Sequence, residues 1–313
     1  MGEWTVRATG PDEIARVHAF YAAEHRRHTG REFPLPLETL VHLSTSPGRD
    51  AELDLLTVEL DGTPVGRGVV IANPPFSEVV AHLAVHSSLS DAETTEAYRL
   101  LVDGLEVAAR ARVGDGDAHE HAIGVDVLDG DPKVDRTLAS LGFALTRRSY
   151  EMGMDLDPDF PRPVPPPGVT LRPWDRDTDT DAVIAIITEA FTDHNGDSVG
   201  GPESVLHFLA TDEIRHDLTF VAEDDEGPMG VVVSMDRPGA GYVSSLGVLR
   251  RARGRGVGRA LLLASLAGFA ASGAARAGLD VDAENLSGAT RLYESVGLRP
   301  EVVYALWLRP LGG

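Results

Sequence analysis

With 313 residues the chain is about twice the size of an ordinary domain, which points to two domains, and its 42% hydrophobic residues suffice for two cores. Acids outnumber bases 49 to 28, a net charge of −21 that would repel a polyanion such as DNA and tolerate or attract an amine-bearing partner. No run approaches the ~18 uninterrupted apolar residues of a membrane span, and cysteine is absent, which removes disulfides, thiolate zinc sites and cysteine nucleophiles together.

The opening Met1–Val6 has no basic region followed by an apolar core, so no secretory signal is expected and the cytoplasm is the default compartment. A short strand around Val6-Arg-Ala-Thr precedes Pro11–His25, where Ile14, Val17, Phe20 and Tyr21 recur at helical spacing. Leu55–Leu60, the turn Asp61-Gly62 and Val65–Ile71 then read as a hairpin. A third strand at Val79–Val85, a long helix, another strand and a short helix closing at Gly142 complete the first half.

Pro158–Gly168 follows, with five prolines in Pro161–Pro167 that favour an extended connector. Beyond it the same order returns. Val169-Thr-Leu-Arg precedes a helix over Asp181–His194, with Val183, Ile187, Ala190 and Phe191 on one face. A hairpin follows from Leu218–Ala222, Glu223–Gly227 and Met229–Ser234, then a strand at Tyr242–Val248, a long helix, a strand and a short helix ending at Gly297. Strands first clustered and then alternating with helices, twice over, predict two mixed domains of one ancestry. The repeat is too long for a solenoid unit.

Leu246–Leu263 carries the chemistry. A strand enters it and an apolar helix leaves it, and between them lie Gly254, Gly256 and Gly258. From Pro158 onward the chain has 14 basic and 22 acidic residues, and five of the 14 fall within Arg250–Arg259. The first turn of a helix offers unpaired N–H groups and partial positive charge, glycines allow close backbone approach, and arginines add charge-assisted hydrogen bonds, a combination suited to phosphate. A plain turn with a solvated basic edge would need neither the glycines nor the arginines. A P-loop lacks its lysine here. The dinucleotide fingerprint lacks its G-x-G-x-x-G spacing, although Asp280 or Asp282 could serve as its acidic residue.

Arg253-Gly-Arg-Gly256-Val-Gly258 resembles the Q/R-x-x-G-x-G/A acyl-CoA signature of the GNAT superfamily of N-acetyltransferases. Leu279–Asn285 followed by Ala289–Leu298 is similar to that family's second block. Two such domains in one chain resemble the tandem acetyltransferases that include mycothiol synthase. The resemblance implies an α/β (mixed α+β) fold class: two tandem GNAT folds, each a mixed, mostly antiparallel central sheet flanked by helices. It implies a degenerate domain over residues 1–157, a linker over 158–168 and a catalytic domain over 169–313. Acetyl-CoA is then the co-substrate and no metal is needed. The acceptor would be a small-molecule primary amine that attacks the thioester directly, without nucleic-acid or membrane partners, in a monomer or homodimer. The alternatives are a non-catalytic acyl-CoA sensor and a protein or peptide N-acetyltransferase.

By the same resemblance, the backbone of Leu246, Gly247 and Val248 would pair with the pantetheine arm. The amides of Arg253, Gly254, Arg255, Gly256, Val257, Gly258 and Arg259 would hold the pyrophosphate. Asn285 would meet the pantetheine arm or cap the following helix. Tyr293 would protonate the departing thiolate as general acid, or else pack its helix with Leu292 and Val296. Relatives with a base on the fourth strand carry a carboxylate there, whereas Tyr242-Val-Ser-Ser-Leu has none. Asp193 and His194 are the base candidates, with capping or packing as their alternative. Tyr242 stands where mycothiol synthase-like enzymes have an acid, so mycothiol chemistry is not carried over.

The matching stretch of the first half, Val85–Thr95, has no glycine, no arginine and two acids; Leu138 stands where the second half has Tyr293, and Gly130 where it has Asn285. The histidines, among them His25, His28, His82, His86, His119 and His121, lack an H-E-x-x-H pattern, and Gly-x-Ser-x-Gly is absent.

Overall fold

The computed structural model describes residues 2–44, 50–72, 76–113, 121–191, 201–237, 239–283 and 288–312. The chain divides into two compact units, one of Met1–Ser149 with Val302–Gly313 and one of Tyr150–Glu301. Both have the mixed, mostly antiparallel sheet with flanking helices that the sequence predicts.

In the first unit, β1 (Trp4–Ala8), β2 (Leu55–Leu60), β3 (Thr63–Ile71), β4 (Glu78–Val85) and β5 (Ala122–Leu128) lie side by side in chain order, with only β4 and β5 parallel. The helices are α1 (Ile14–Thr29), α2 (Leu37–Ser44), α3 (Ala51–Asp54), α4 (Asp91–Val113) and α5 (Pro132–Ser140), after which β6 (Ala144–Asp155) begins. The β2–β3 turn is set by Asp61 and Gly62, both in the left-handed region at φ 50° and 74°, the conformation that matches a hairpin's twist. One face of the sheet buries Tyr98, Leu101 and Leu105 of α4 against Val58, Val79 and Ile123. The other packs Ile14 and Val17 of α1 with Leu40 and Leu55.

In the second unit the order is β11 (Arg276–Asp282), β10 (Ala240–Val248), β9 (Gly227–Arg237), β8 (Phe220–Asp224) and β7 (Thr170–Pro173), again with one parallel pair, β10 and β11. Its helices are α6 (Arg176–Phe191), α7 (Pro202–Leu209), α8 (Val257–Ala271) and α9 (Ala289–Ser295). On one face α8 buries Leu261, Leu262 and Phe269 against Met229, Val232 and Val243. On the other, α6 and α7 bury Ile186, Ile187 and Leu209 against Val231, Val233 and Tyr242.

A fork of ion pairs that the sequence pattern does not announce marks the duplication. In the first unit Arg7 of β1 reaches Glu13 at 2.6 Å, just before α1, and Glu59 of β2 at 3.0 Å. In the second, Arg172 of β7 reaches Asp179 of α6 at 2.5 Å and Glu223 of β8 at 2.9 Å. This fork starts α6 five residues before the predicted Asp181, and the Asp175 carboxylate accepts the Asp177 N–H at 2.9 Å at the helix entry. Pro11–Glu13 forms a 3-10 turn, so α1 itself begins at Ile14.

The ends of the chain depart from simple succession. The last strand, β12 (Arg299–Pro310), contributes Val302 onward to the first unit. It pairs antiparallel with β5 from Tyr304↔Leu128 to Pro310↔Ala122 and adds Ala305 and Trp307 to that core. Conversely Tyr150–Asp155 of β6 belongs to the second unit, where Met152 is fully buried in the α8-face core. The proline-rich stretch also lies in the second unit, with Phe160 packed on that core.

Candidate functional site

The predicted cofactor strand is shaped by a β-bulge. In β10 the register with β9 shifts between Val243 and Ser245, so one extra residue bends the strand. The parallel pairing of β10 with β11 runs only from Gly241↔Ala277 to Val243↔Leu279, although β10 continues to Val248 and β11 to Asp282. The strands diverge from that point, and the β11-facing edge of Ser244–Val248 is left without a ladder partner in β11. Leu246 and Val248 pack toward the α8 core. Gly247 permits α6 to approach, since a Cβ there would stand 3.2 Å from Ala190 Cβ.

The arginine-rich turn leads from this strand into α8. Arg250–Ala252 forms one 3-10 turn, and Gly254 and Gly256 take φ of 75° and 82°, the left-handed region where glycine is favoured. Gly256 is the N-cap of α8 and, among the described residues, no side chain caps the helix, so its first-turn amides have no side-chain partner there. Among the described residues, a Cβ at Gly254 would meet nothing within 4 Å, and one at Gly256 only Pro166 at 3.6 Å.

The arginines divide their tasks. Arg251 and Arg255 converge on Asp224 at the end of β8, at 3.2 and 3.0 Å, and the Arg255 hydrogen bond leads in holding that carboxyl below its usual range. Arg253 donates from Nε to the Val248 carbonyl at 3.2 Å and from Nη2 to the Ala190 carbonyl at 3.4 Å, tying the end of β10 to the end of α6. Arg259 is exposed and has no partner among the described residues.

Helix α9 borders the same turn. A Cβ at Gly258 would stand 3.6 Å from both Leu292 of α9 and Val248 of β10, so strand end, helix start and α9 converge. Tyr293 of α9 is 8% exposed and belongs to the α8-face core; burial pushes its phenol up to about 12, and its hydroxyl makes no hydrogen bond among the described residues. Gly297, at φ 110°, ends the helix. Asn285, Asp193 and His194 lie outside the described residues. Sequence reasoning missed the Tyr242–Asp280 pair. The buried Tyr242 hydroxyl donates to Asp280 Oδ2 at 2.7 Å, with the Arg237 guanidinium 3.2 Å from the Tyr242 ring centroid. Only the recurrence of Gly-x-Asp-Val, at Gly124–Val127 and Gly278–Val281, could have flagged it.

The matching place in the first unit is closed from within. Val85 pairs with Gly66 as Val248 pairs with Gly230, but β4 has no bulge and its pairing with β5 continues to His82↔Asp126. Helix α4 is self-capped: Glu93 accepts the Ser90 N–H at 2.9 Å and hydroxyl at 2.6 Å, and Ser90 Oγ accepts the Glu93 N–H at 3.4 Å. Glu24 accepts the Ser87 N–H at 3.1 Å, and Lys133 donates to the Leu89 carbonyl at 2.9 Å. The Glu93 carboxylate thus occupies the N-cap amide of α4, whereas the Glu24 contact has its counterpart in the second unit, where Glu189 of α6 accepts the Arg250 N–H at 3.2 Å. Among the described residues, no group of three or more His, Asp or Glu side chains could hold a metal ion, and no helix is long and apolar enough to cross a membrane.

Residues 180–298 match the acetyltransferase (GNAT) family model. A mycothiol acetyltransferase of Frankia alni is 31% identical over 92% of this chain and 88% of that protein. One from Thermobispora bispora is 32% identical over 57% of this chain and 62% of its own length, so that alignment spans less than two thirds of the relative. Among solved structures, a GCN5-related N-acetyltransferase from Sphaerobacter thermophilus shares the fold at a TM-score of 0.80 and 23% identity, over 98% of this chain and 96% of that one. A tandem GNAT protein from the clavulanic acid biosynthesis pathway does so at 0.70 and 15%, over 100% and 99%. With sequence likeness to a relative over nearly the whole length and this fold, the chain belongs to the GNAT family of N-acetyltransferases.

Proposed function

We propose that the second unit moves the acetyl group of acetyl-CoA to the primary amine of a small molecule by direct attack, and that the first unit is a non-catalytic copy. The observation that carries this reading is the contrast between the two helix starts: α8 presents amides that no described side chain caps behind an arginine turn, whereas α4 is sealed by the reciprocal cap of Ser90 and Glu93. The diphosphate would lie on the amides of Arg253–Arg259, with Arg259 free to reach a phosphate. The pantetheine arm would pair with Leu246–Val248 where the bulge frees the strand edge, and Asn285 would border it. The likeness to proteins named mycothiol acetyltransferase supports a small acceptor.

Burial keeps Tyr293 a neutral phenol across the physiological range. The same desolvation raises the proton affinity of a thiolate leaving beside it, so donor and acceptor stay matched. Tyr293→Phe tests this. Turnover should fall roughly 100-fold or more while acetyl-CoA affinity stays put; equal turnover removes Tyr293 from the chemistry. Calorimetry should find one acetyl-CoA per chain, and two equivalent sites would refute the closed first unit.

A further inference from the structure

The geometry points to Asp280 as the group that takes the proton of the acceptor's ammonium; this rests on reading the second unit as the transferase. An aliphatic amine arrives protonated and must lose a proton before its lone pair can attack a thioester. Strand β10 supplies no carboxylate for that task.

Asp280 is the first residue of β11 beyond the last paired position, Val243↔Leu279, and so stands at the root of the divergence between the strands. Its neighbours Leu279 and Val281 point into the α8-face core, as does Ala277. Alternation along the strand puts Asp280 on the opposite face. Its bond to Tyr242, which belongs to the α6-face core, fixes the same side. Among the described residues this exposed carboxylate has no ion pair, and its one hydrogen-bond partner is a phenol. Burial, first, and then the Asp280 charge hold that phenol well above its ordinary range, so Tyr242 remains a donor to Oδ2 and leaves Oδ1 for a substrate N–H.

The first unit carries the same residue in a different state. Asp126, in the equivalent Gly-Val-Asp-Val, is the last paired residue of its ladder, opposite His82, and the His82 imidazole meets its Oδ2 at 2.9 Å. There the carboxylate is engaged by an imidazole at the last pair of the ladder; in the second unit pairing ends one residue earlier and the carboxylate is left facing outward.

The protons balance. The ammonium gives one proton to Asp280, and the amine lone pair forms the C–N bond as the carbonyl π pair moves to oxygen. The carbonyl re-forms as the C–S bond breaks, and the thiolate takes the Tyr293 proton. The second proton lost by nitrogen returns to Tyr293 through water, and Asp280 releases the first to solvent. One proton is freed per turnover.

The test compares wild type, Asp280→Asn and Tyr242→Phe. The probes are a panel of primary alkylamines headed by putrescine and glucosamine, with hydroxylamine, which is largely unprotonated near neutral pH, as the control acceptor. CoA release is followed across pH and acetyl-CoA binding is measured by calorimetry. Asp280→Asn should lower kcat with alkylamines roughly 100-fold or more, leave acetyl-CoA affinity within about twofold, and change the hydroxylamine rate by less than about threefold. Tyr242→Phe removes a donor to the carboxylate, so the acidic limb of kcat/KM should move to higher pH, a shift that a packing role would not produce. Arg237, which lies over Tyr242, Glu151 of β6 and Asp282 on the same strand are the other charges near this pair. Wild-type rates in Asp280→Asn, or an equal loss with hydroxylamine, would overturn the assignment. Loss of acetyl-CoA binding in Asp280→Asn would make its role structural. A wild type that binds acetyl-CoA but acetylates nothing in the panel would overturn the small-amine reading, and this proposal with it.

Discussion

Replacing Gly256 with valine isolates the contribution of the α8 start. In the free protein the cost is conformational, because among the described residues only Pro166 lies within 4 Å of the added Cβ, at 3.6 Å, while φ is 82°. A β-branched residue in that region costs about 1–3 kcal/mol. The branched side chain would also stand over the amides assigned to the diphosphate. Losing one charge-assisted hydrogen bond there costs about 1.5–3 kcal/mol, so acetyl-CoA should bind roughly 10- to 100-fold more weakly. Gly273→Val is the matched control. Gly273 follows the other end of α8, at φ 88°, with nothing within 4 Å of its Cβ. Urea titration should show similar destabilisation of both variants, and calorimetry should show an affinity loss in Gly256→Val alone. Equal affinity losses, or wild-type affinity in Gly256→Val, would refute the placement of the diphosphate.

Asp54→Ala should destabilise the first unit by about 3–5 kcal/mol in urea melts, because the buried Arg112 guanidinium loses a carboxylate that it holds through two contacts of 2.7 Å. Gly241→Ala drives a Cβ into the Phe269 ring, and the forced shift should cost at least about 1–3 kcal/mol, partly recovered in the double variant with Phe269→Leu. Ser90→Ala removes the cap of α4 and should cost about 1 kcal/mol without changing acetyl-CoA affinity. Burial raises the phenols of Tyr21, Tyr98, Tyr242 and Tyr293. The folded state therefore holds those protons more tightly than the unfolded state, so stability is full below pH ~10 and falls as pH rises beyond it. Tyrosinate absorbance from these four should appear together with unfolding rather than at the ordinary midpoint.

What could be read in the residues was whatever is decided locally. Asp61-Gly62 fixed a hairpin, and Gly142 and Gly297, both at positive φ, closed their helices, because these conformations depend on the residue itself. The glycine–arginine turn was legible for the same reason. The bulge in β10 was not, since it is a mismatch between two strands and Tyr242-Val-Ser-Ser-Leu carries no mark of it. Asp280 stayed hidden behind that bulge: its exposure depends on where pairing with β10 stops. The matching contacts of Glu24 with Ser87 and of Glu189 with Arg250 were hidden too, because each carboxylate is brought from a helix distant in the chain. Nor did the pattern of Val302–Leu308 reveal its sheet, because alternation tells which face is buried and not which strand lies alongside.

The pairing of β12 with β5 reaches across the whole second unit in the chain, joining Pro310 with Ala122. On the ribosome, the first unit would wait for its closing strand until the second unit has been read, holding an unsatisfied sheet edge throughout synthesis of everything between. Loss of Val302–Pro310 should therefore injure the first unit rather than the second.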